Sequence, residues 1–370
     1  MKFCSDCFKD SEIRNIIEGI NNKGKCEILK INSDHIYDTD IHNELTPYFD
    51  ALLEVYYPIA LCNPNIDSSN SVYLKYDLNQ TWDIFSDNCK SNNIYKIIKS
   101  ICKDRYAKTP QLFDDGVVIK DLYDDSYRKS HSLLLTDSWN SFKDNLIRSN
   151  RYHSNSFNTN LFEKYCWKIR KIYKKGHLFF RARISSKDGF SPSKMGVPPI
   201  DKSKSGRVNA EGIECLYLAS DLSTAVSEVR PGVADFITIG TFELKKDIGV
   251  ADIKEIDSIS PFVEPDYDFL VEYALNKDIL KRIKVEMSKI VRQNDSKLDY
   301  VPTQYICDFI KQIEKTSKDG IVNFAGVEYG STLKKSLDSY NLAIFYPKLF
   351  KCIRTEVVQV SSLNYQTDHV

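Results

Sequence analysis

Net charge is missing from this sequence: Lys plus Arg number 51 and Asp plus Glu number 51, so no global field draws the chain toward nucleic acid or anionic lipid. Any anion site must therefore be local. No run approaches the ~18 apolar residues needed to span a bilayer, and the opening Met1-Lys2-Phe3-Cys4-Ser5-Asp6-Cys7 lacks the apolar segment of a signal peptide. A cytoplasmic location without a membrane partner is expected. Internal repeats and long coiled-coil heptads are absent too. A disulfide framework is not expected, for a different reason. The ten cysteines are scattered, and Cys102, Cys166, Cys215 and Cys307 sit inside apolar segments, where reduced thiols act as small hydrophobes.

What is present is ordinary core-forming material: 370 residues, 42% hydrophobic and 28% charged, enough for two domains. Residues 1 to about 155 read as mainly helical, with Ile13, Ile16, Ile17 and Ile20, and then Ile94, Ile97, Ile98 and Ile101, at helical spacing. Trp82, Ile84 and Phe85 fall in the same register within Leu78 to Lys103. A further helix begins near Asp137 or Ser138 and buries Trp139, Phe142 and Leu146. The polar, turn-rich Arg148 to Asn155 is read as the domain boundary.

From residue 160 the pattern is α+β. A helix runs from Thr159 or Asn160 past Ile169 and Ile172 to a stop at Lys174-Lys175-Gly176. His177 to Ile184, Leu216 to Ala219, Asp235 to Leu244 and Leu342 to Tyr346 have strand composition, and Glu328 to Ser331 has it weakly. Helices are expected at Leu222 to Val229 and from about Asp266 to Arg292. The catalytic half ends near residue 357, with 358–370 as a tail. Between the first two strands, Ser185 to Gly212 is longer than the ~12–15 residues of most ordered loops and carries Lys187, Lys194, Lys202, Lys204 and Arg207 against Asp188 and Asp201. It is the lid expected from the sequence.

Six ordered blocks carry the chemistry: Phe180-Arg181-Ala182-Arg183, the string from Arg207 to Pro231, Thr241-Phe242-Glu243-Leu244, Tyr300 to Ile306, Gly326-Val327-Glu328-Tyr329-Gly330-Ser331-Thr332, and Asn341 to Phe345. Together they resemble the RES family, named for its Arg, Glu and Ser residues, whose members include NAD-degrading toxins. The resemblance covers about residues 178 to 350. It implies an α+β fold similar to ADP-ribosyltransferases, with NAD as the substrate in a central cleft.

The residue types suit that substrate. Planar guanidinium groups hold a pyrophosphate with paired, charge-assisted hydrogen bonds, which points to Arg181 and Arg207; a salt bridge at the domain edge is the competing reading, weightier for Arg183 than for Arg181. Tyr217 can stack on the nicotinamide or ribose and orient the sugar with its hydroxyl. Glu228, four residues after Thr224 on one helical face, is the carboxylate that stabilises an oxocarbenium-like centre. The resemblance adds Ser331 as a hydrogen bond to substrate, and Tyr329 falls in register beside it. An alternative register through Asp319-Gly320-Ile321 puts Ala325 at the serine position, and the register from Gly326 is preferred. Nicotinamide leaves as a neutral molecule, so the reaction needs neither metal nor a strong general acid, in keeping with only six histidines.

Other readings remain open at this point. The same site serves hydrolysis, phosphorolysis or transfer of ADP-ribose to a macromolecule, and an antitoxin or activating partner is not named by the residues. The N-terminal half resembles the helical HEPN-like domain that precedes some RES domains. There Arg148-x4-His153 fits the pattern of HEPN ribonucleases, but it stands in a polar connector with no basic stripe for RNA. Cys4, Cys7 and Cys26 resemble a zinc knuckle that lacks one ligand, since Leu29 stands where a fourth cysteine is expected and structural zinc takes four. His35 is the substitute considered, and free thiols are favoured over a bound zinc.

Overall fold

The computed structural model describes residues 1–61, 67–263, 265–289, 296–317, 320–331 and 339–362. Arg292, Asp319, Thr332 and residues 363–370 of the expected tail lie outside the described residues. The chain divides into two compact units, Met1–Ser132 with Ser258–Asp278, and Leu133–Asp257 with Ile279–Val370. The sequence reading puts the division near residue 155. It falls upstream because the expected helix, observed at Trp139–Asp144 and capped by Ser138, packs Phe142 against Phe157 and Tyr305 of the second unit.

Among the described residues, the first unit combines short helices with three small antiparallel sheets. Asp10 caps the helix Ser11–Ile20 by accepting from the Glu12 and Ile13 amides at 3.0 and 3.1 Å, and Ile13 and Ile17 are buried. The helical register expected from Leu78 to Lys103 is broken into Leu74–Gln80 and Ser91–Ile101. The cause is Asn79, whose side chain accepts from the Phe85 amide at 2.8 Å and donates to the Phe85 carbonyl at 3.2 Å, offering the backbone an alternative to a helix. Trp82, Ile84 and Phe85 are still buried, but from a loop. No helix among the described residues is long and apolar enough to cross a membrane.

The second unit is built on eight strands: β1 (Arg170–Tyr173), β2 (Leu178–Ser185), β3 (Leu216–Ala219), β4 (Phe236–Leu244), β5 (Ile248–Asp252), β6 (Gly326–Gly330), β7 (Tyr340–Ile344) and β8 (Phe350–Gln359). Their order across the sheet is β8-β4-β2-β3-β7-β6-β5-β1, and the β5–β6 pair is parallel while its neighbours are antiparallel. The fold is α+β, as the sequence indicates. β1 corrects one expectation: the helix Thr159–Lys168, here α1, stops early, and Ile172 lies on the sheet edge with its side chain 44% exposed. β8 carries the sheet to Gln359, inside the stretch read as a tail.

Strand alternation gives the sheet two faces. Phe179, Leu216, Leu218, Phe242, Leu244, Leu342 and Ile344 form the larger core. Ala182, Ala219, Ile237 and Ile239 line a second core under Ala225 of α2 (Leu222–Val229). The register aligns Tyr217 with Ala343, and Asn341 with both Ala219 and Tyr329, so Tyr217, Ala219, Asn341 and Tyr329 share the α2 side. Glu328 points the other way, fully buried, where it accepts from Lys171 Nζ at 2.9 Å and from the Tyr173 hydroxyl at 2.5 Å and pairs with Lys254. A carboxylate so buried is tolerated because these cations and the hydroxyl replace its water.

Candidate functional site

β2 and β3 pair at a single position, Phe180 with Ala219. A cleft of about 560 Å³ lies at this weak join, lined by Arg181, Arg207, Tyr217, Glu228, Tyr300, Tyr329 and Asn341 among others. Five of the six site residues expected from the sequence therefore line one cavity, and the sixth, Ser331, touches one of them.

Arg181 is the most unusual of them. Its Nη1 is buried and has no hydrogen-bond partner among the described residues. Burial, and secondarily Arg183, hold the guanidinium down at about 10, against its ordinary 12.5. A buried guanidinium nitrogen without a partner, on a residue that lines the cleft, suits an anionic ligand. Arg183 differs: it donates to the Lys194 carbonyl at 2.6 Å and stacks on Phe190. It fastens the following loop, a role that is neither a salt bridge nor a ligand contact.

Glu228 stands on the last turn of α2. Asp221 starts that helix by accepting from the Thr224 amide at 2.9 Å, and Arg230 ends it in the left-handed region at φ 47°. The Glu228 side chain is exposed to the cleft, and its Oε1 accepts from Asn341 Nδ2 at 2.7 Å and from Ser331 Oγ at 3.0 Å. Ser331 thus meets the carboxylate, where the resemblance implied a contact with substrate. Ala325, the serine position in the alternative register, is buried in the larger core.

Arg207 and Tyr217 are engaged within the protein. Arg207 Nη1 donates to the Glu286 carbonyl at 2.7 Å and Nη2 to that of Lys289, past the end of the helix Tyr267–Ser288, while the guanidinium lies 5.7 Å from the Tyr300 ring and 6.0 Å from the Tyr329 ring. A cation suits a helix C-terminus, where carbonyls lack partners. The Tyr217 hydroxyl donates to Asn209 Oδ1 at 2.6 Å and accepts from the Val208 amide at 3.1 Å, so it holds the loop that the sequence reading had it reach past, toward a sugar. Gly206 is required by this contact, because a Cβ there would stand 2.6 Å from the Tyr217 oxygen.

The expected lid is anchored along its length. Met195 is fully buried, Phe190 donates its amide to Thr238 Oγ1 at 3.0 Å, and Asn209 Nδ2 bonds the carbonyls of Lys204, Ala210 and Ile213. Gln304, on the helix α3 (Val301–Gln312), donates to the carbonyls of Gly206 and Asn209 at 2.7 and 2.9 Å. The loop is a built wall of the cleft. Tyr217→Phe tests this: Asn209 Oδ1 and the Val208 amide lose their partner, so urea unfolding should show a loss of about 1–3 kcal/mol. An unchanged midpoint would mean the loop is held by its other bonds alone.

The family follows from these blocks. The RES domain model matches residues 178–368. The chain belongs to the RES domain family. Searches of curated proteins and of solved structures return no match.

Sequence reasoning did not single out Asn341, Asn209 or Gln304. Each had a visible signal, because all three lie in the quoted blocks and Asn341 interrupts an apolar strand of the RES domain. Neither member of the ribonuclease pair lines the cleft. Arg148 is exposed and pairs with Asp144 at 3.5 Å, and exposed His153 is fixed by its backbone to Asn150. In the first unit, the sulfurs of Cys4, Cys7 and Cys26 lie within 4.8 Å of one another and can serve as metal ligands. His35 is not in that group; its carbonyl accepts from the Ser5 amide at 3.2 Å. None of the nine described cysteines is in a disulfide.

Proposed function

We propose that this RES domain binds NAD in the Arg181–Glu228 cleft and breaks its bond between nicotinamide and ribose, so that the protein acts as an NAD-depleting toxin or defence effector. The observation that carries this reading is the pairing, in one cleft, of a buried guanidinium nitrogen without a partner and an acceptor carboxylate clamped by two donors. Its volume is in the range of small-molecule sites.

In this reading Arg181, which lines the cleft, takes the pyrophosphate, because an anion there offsets the burial of its guanidinium. The rings of Tyr329 and Tyr300, backed by Arg207, offer flat surfaces for the bases or the nicotinamide. Asn341 and Ser331 both donate to Glu228 Oε1, which fixes the carboxylate and leaves Oε2 for the ribose. As the glycosidic bond lengthens, its electron pair moves to the nicotinamide ring nitrogen and neutralises it, while positive charge grows on the ribose. A carboxylate held in place stabilises that charge without having to reorganise. Water, phosphate or a macromolecular nucleophile then takes the ribosyl carbon.

Expression in cells tests the biological half of this proposal. Growth should stop as intracellular NAD falls, Glu228→Gln should abolish both effects, and Arg148→Ala with His153→Ala should change neither. Arrest that persists in Glu228→Gln with NAD at its normal level, and that disappears in the Arg148/His153 variant, would replace this reading with the ribonuclease one.

A further inference from the structure

Nothing in the cleft chemistry uses the buried sulfurs of the first unit. Cys4, Cys7 and Cys26 have no solvent exposure, and Cys89 has 4%. The Cys4 and Cys7 sulfurs are 4.0 Å apart, and those of Cys7 and Cys26 are 3.8 Å apart. Such separations are too long for a disulfide, which needs about 2.05 Å. They match the roughly 3.8 Å edge of a tetrahedron of sulfurs at the ~2.3 Å bond length of zinc.

The backbone around the cluster has the form of a metal knuckle. Cys4 ends the strand Lys2–Cys4 and Cys7 closes the turn Ser5–Cys7. In the second turn the Leu29 amide donates to Cys26 Sγ at 3.3 Å. Leu29 therefore contributes its N–H where a fourth ligand was sought.

A candidate fourth thiol, Cys89, lies in a distant part of the sequence. Phe8 bridges to Phe85, the Ser86 amide donates to the Cys7 carbonyl at 2.9 Å, and the Cys89 amide donates to the Ser86 carbonyl at 2.8 Å. These bonds bring Cys89 beside the cluster, its sulfur outside the set of three that lie within 4.8 Å of one another. We propose that Cys4, Cys7, Cys26 and Cys89 form a structural zinc site that cross-links three segments of the first unit. Ligands of thiolate type and full burial suit zinc in a closed structural role, with no position open for catalysis. The strands here are two or three residues long, so a metal cross-link supplies order that their few ladder bonds do not.

The test uses the full chain purified without chelator. Elemental analysis should find one zinc per chain, X-ray absorption should find four sulfur neighbours, and removal of the zinc by a thiol-specific mercurial should lower the melting temperature. Cys89→Ser should lose the metal, while Cys352→Ser, at a half-buried thiol of the second unit, should keep it. If Cys89→Ser does not fold, cobalt(II) added to the metal-free wild-type chain decides the matter by the thiolate charge-transfer bands of a four-sulfur site. A chain that is metal-free as purified and whose melting temperature does not respond to zinc would overturn the site. Three sulfurs with one nitrogen or oxygen, or full zinc retention in Cys89→Ser, would overturn the assignment of Cys89.

Discussion

Glu228→Gln is expected to lower the rate of nicotinamide release about 100- to 1,000-fold, the usual loss when one fixed electrostatic contact to a transition state is removed. Gln keeps an acceptor oxygen for Asn341 and Ser331, so the side chain can stay in place while its charge is gone. KM and the melting temperature should therefore move little, and the effect should appear in kcat. Ser331→Ala should cost less than Glu228→Gln, because Asn341 still holds Oε1 at 2.7 Å. Steady-state kinetics on the two variants separates a carboxylate that acts on the substrate from one that only closes the cleft. A Glu228→Gln enzyme with near wild-type kcat would remove the carboxylate from the mechanism.

Arg181→Met should weaken NAD binding about 10- to 100-fold, corresponding to the ~1.5–3 kcal/mol of a hydrogen bond to a charged group, and should at the same time raise the melting temperature. The second effect is the more diagnostic. Burial lowers the Arg181 pKa from 12.5 to about 10, so the folded chain releases this proton more readily than the unfolded one. The cost of holding the charge is thus present in full at neutral pH and is relieved only as pH rises through about 10. Removing the charge removes the cost, whereas an anion in the cleft removes it for the wild type. Isothermal titration with NAD and thermal melts at neutral pH check both signs. A melting temperature that falls would mean that Arg181 is paired within the protein, and that the cleft has no vacancy for an anion.

Much of the site was legible because its chemistry is carried by contiguous words. Phe180 to Arg183, Leu216 to Ala219, and Leu222 to Val229 each place their side chains by a period of two or of 3.6, and the observed β2, β3 and α2 follow those words closely. What the words did not carry is what those side chains meet. Tyr217 and Arg207 present the same residue types whether they face a ligand or a carbonyl, and only the fold shows that Asn209 and the helix end at Glu286 occupy them. β1 was hidden by an ambiguity of period, since Ile169 and Ile172 are three apart and extend a helical pattern as readily as they end it. The broken helix near Trp82 turned on one asparagine side chain. Cys89 could not be joined to Cys7 from spacing at all, because the link is tertiary, through Phe8 and Phe85. The same holds for residues 258–278, which pack with the first unit although they interrupt the second in sequence.

The most direct measurement is the product analysis of NAD incubated with the purified full chain, following free nicotinamide and the fate of the ADP-ribosyl group, in parallel for the wild type, Glu228→Gln and Arg181→Met. The wild type should release one nicotinamide for each NAD consumed, Glu228→Gln should bind NAD but release little, and Arg181→Met should recover turnover only at raised NAD. ADP-ribose, its 1-phosphate when phosphate is supplied, or a labelled macromolecule then names the acceptor. Intact NAD after incubation with the wild-type chain, with phosphate and cell lysate also present, would contradict the assignment of the Arg181–Glu228 cleft as an NAD-cleaving site.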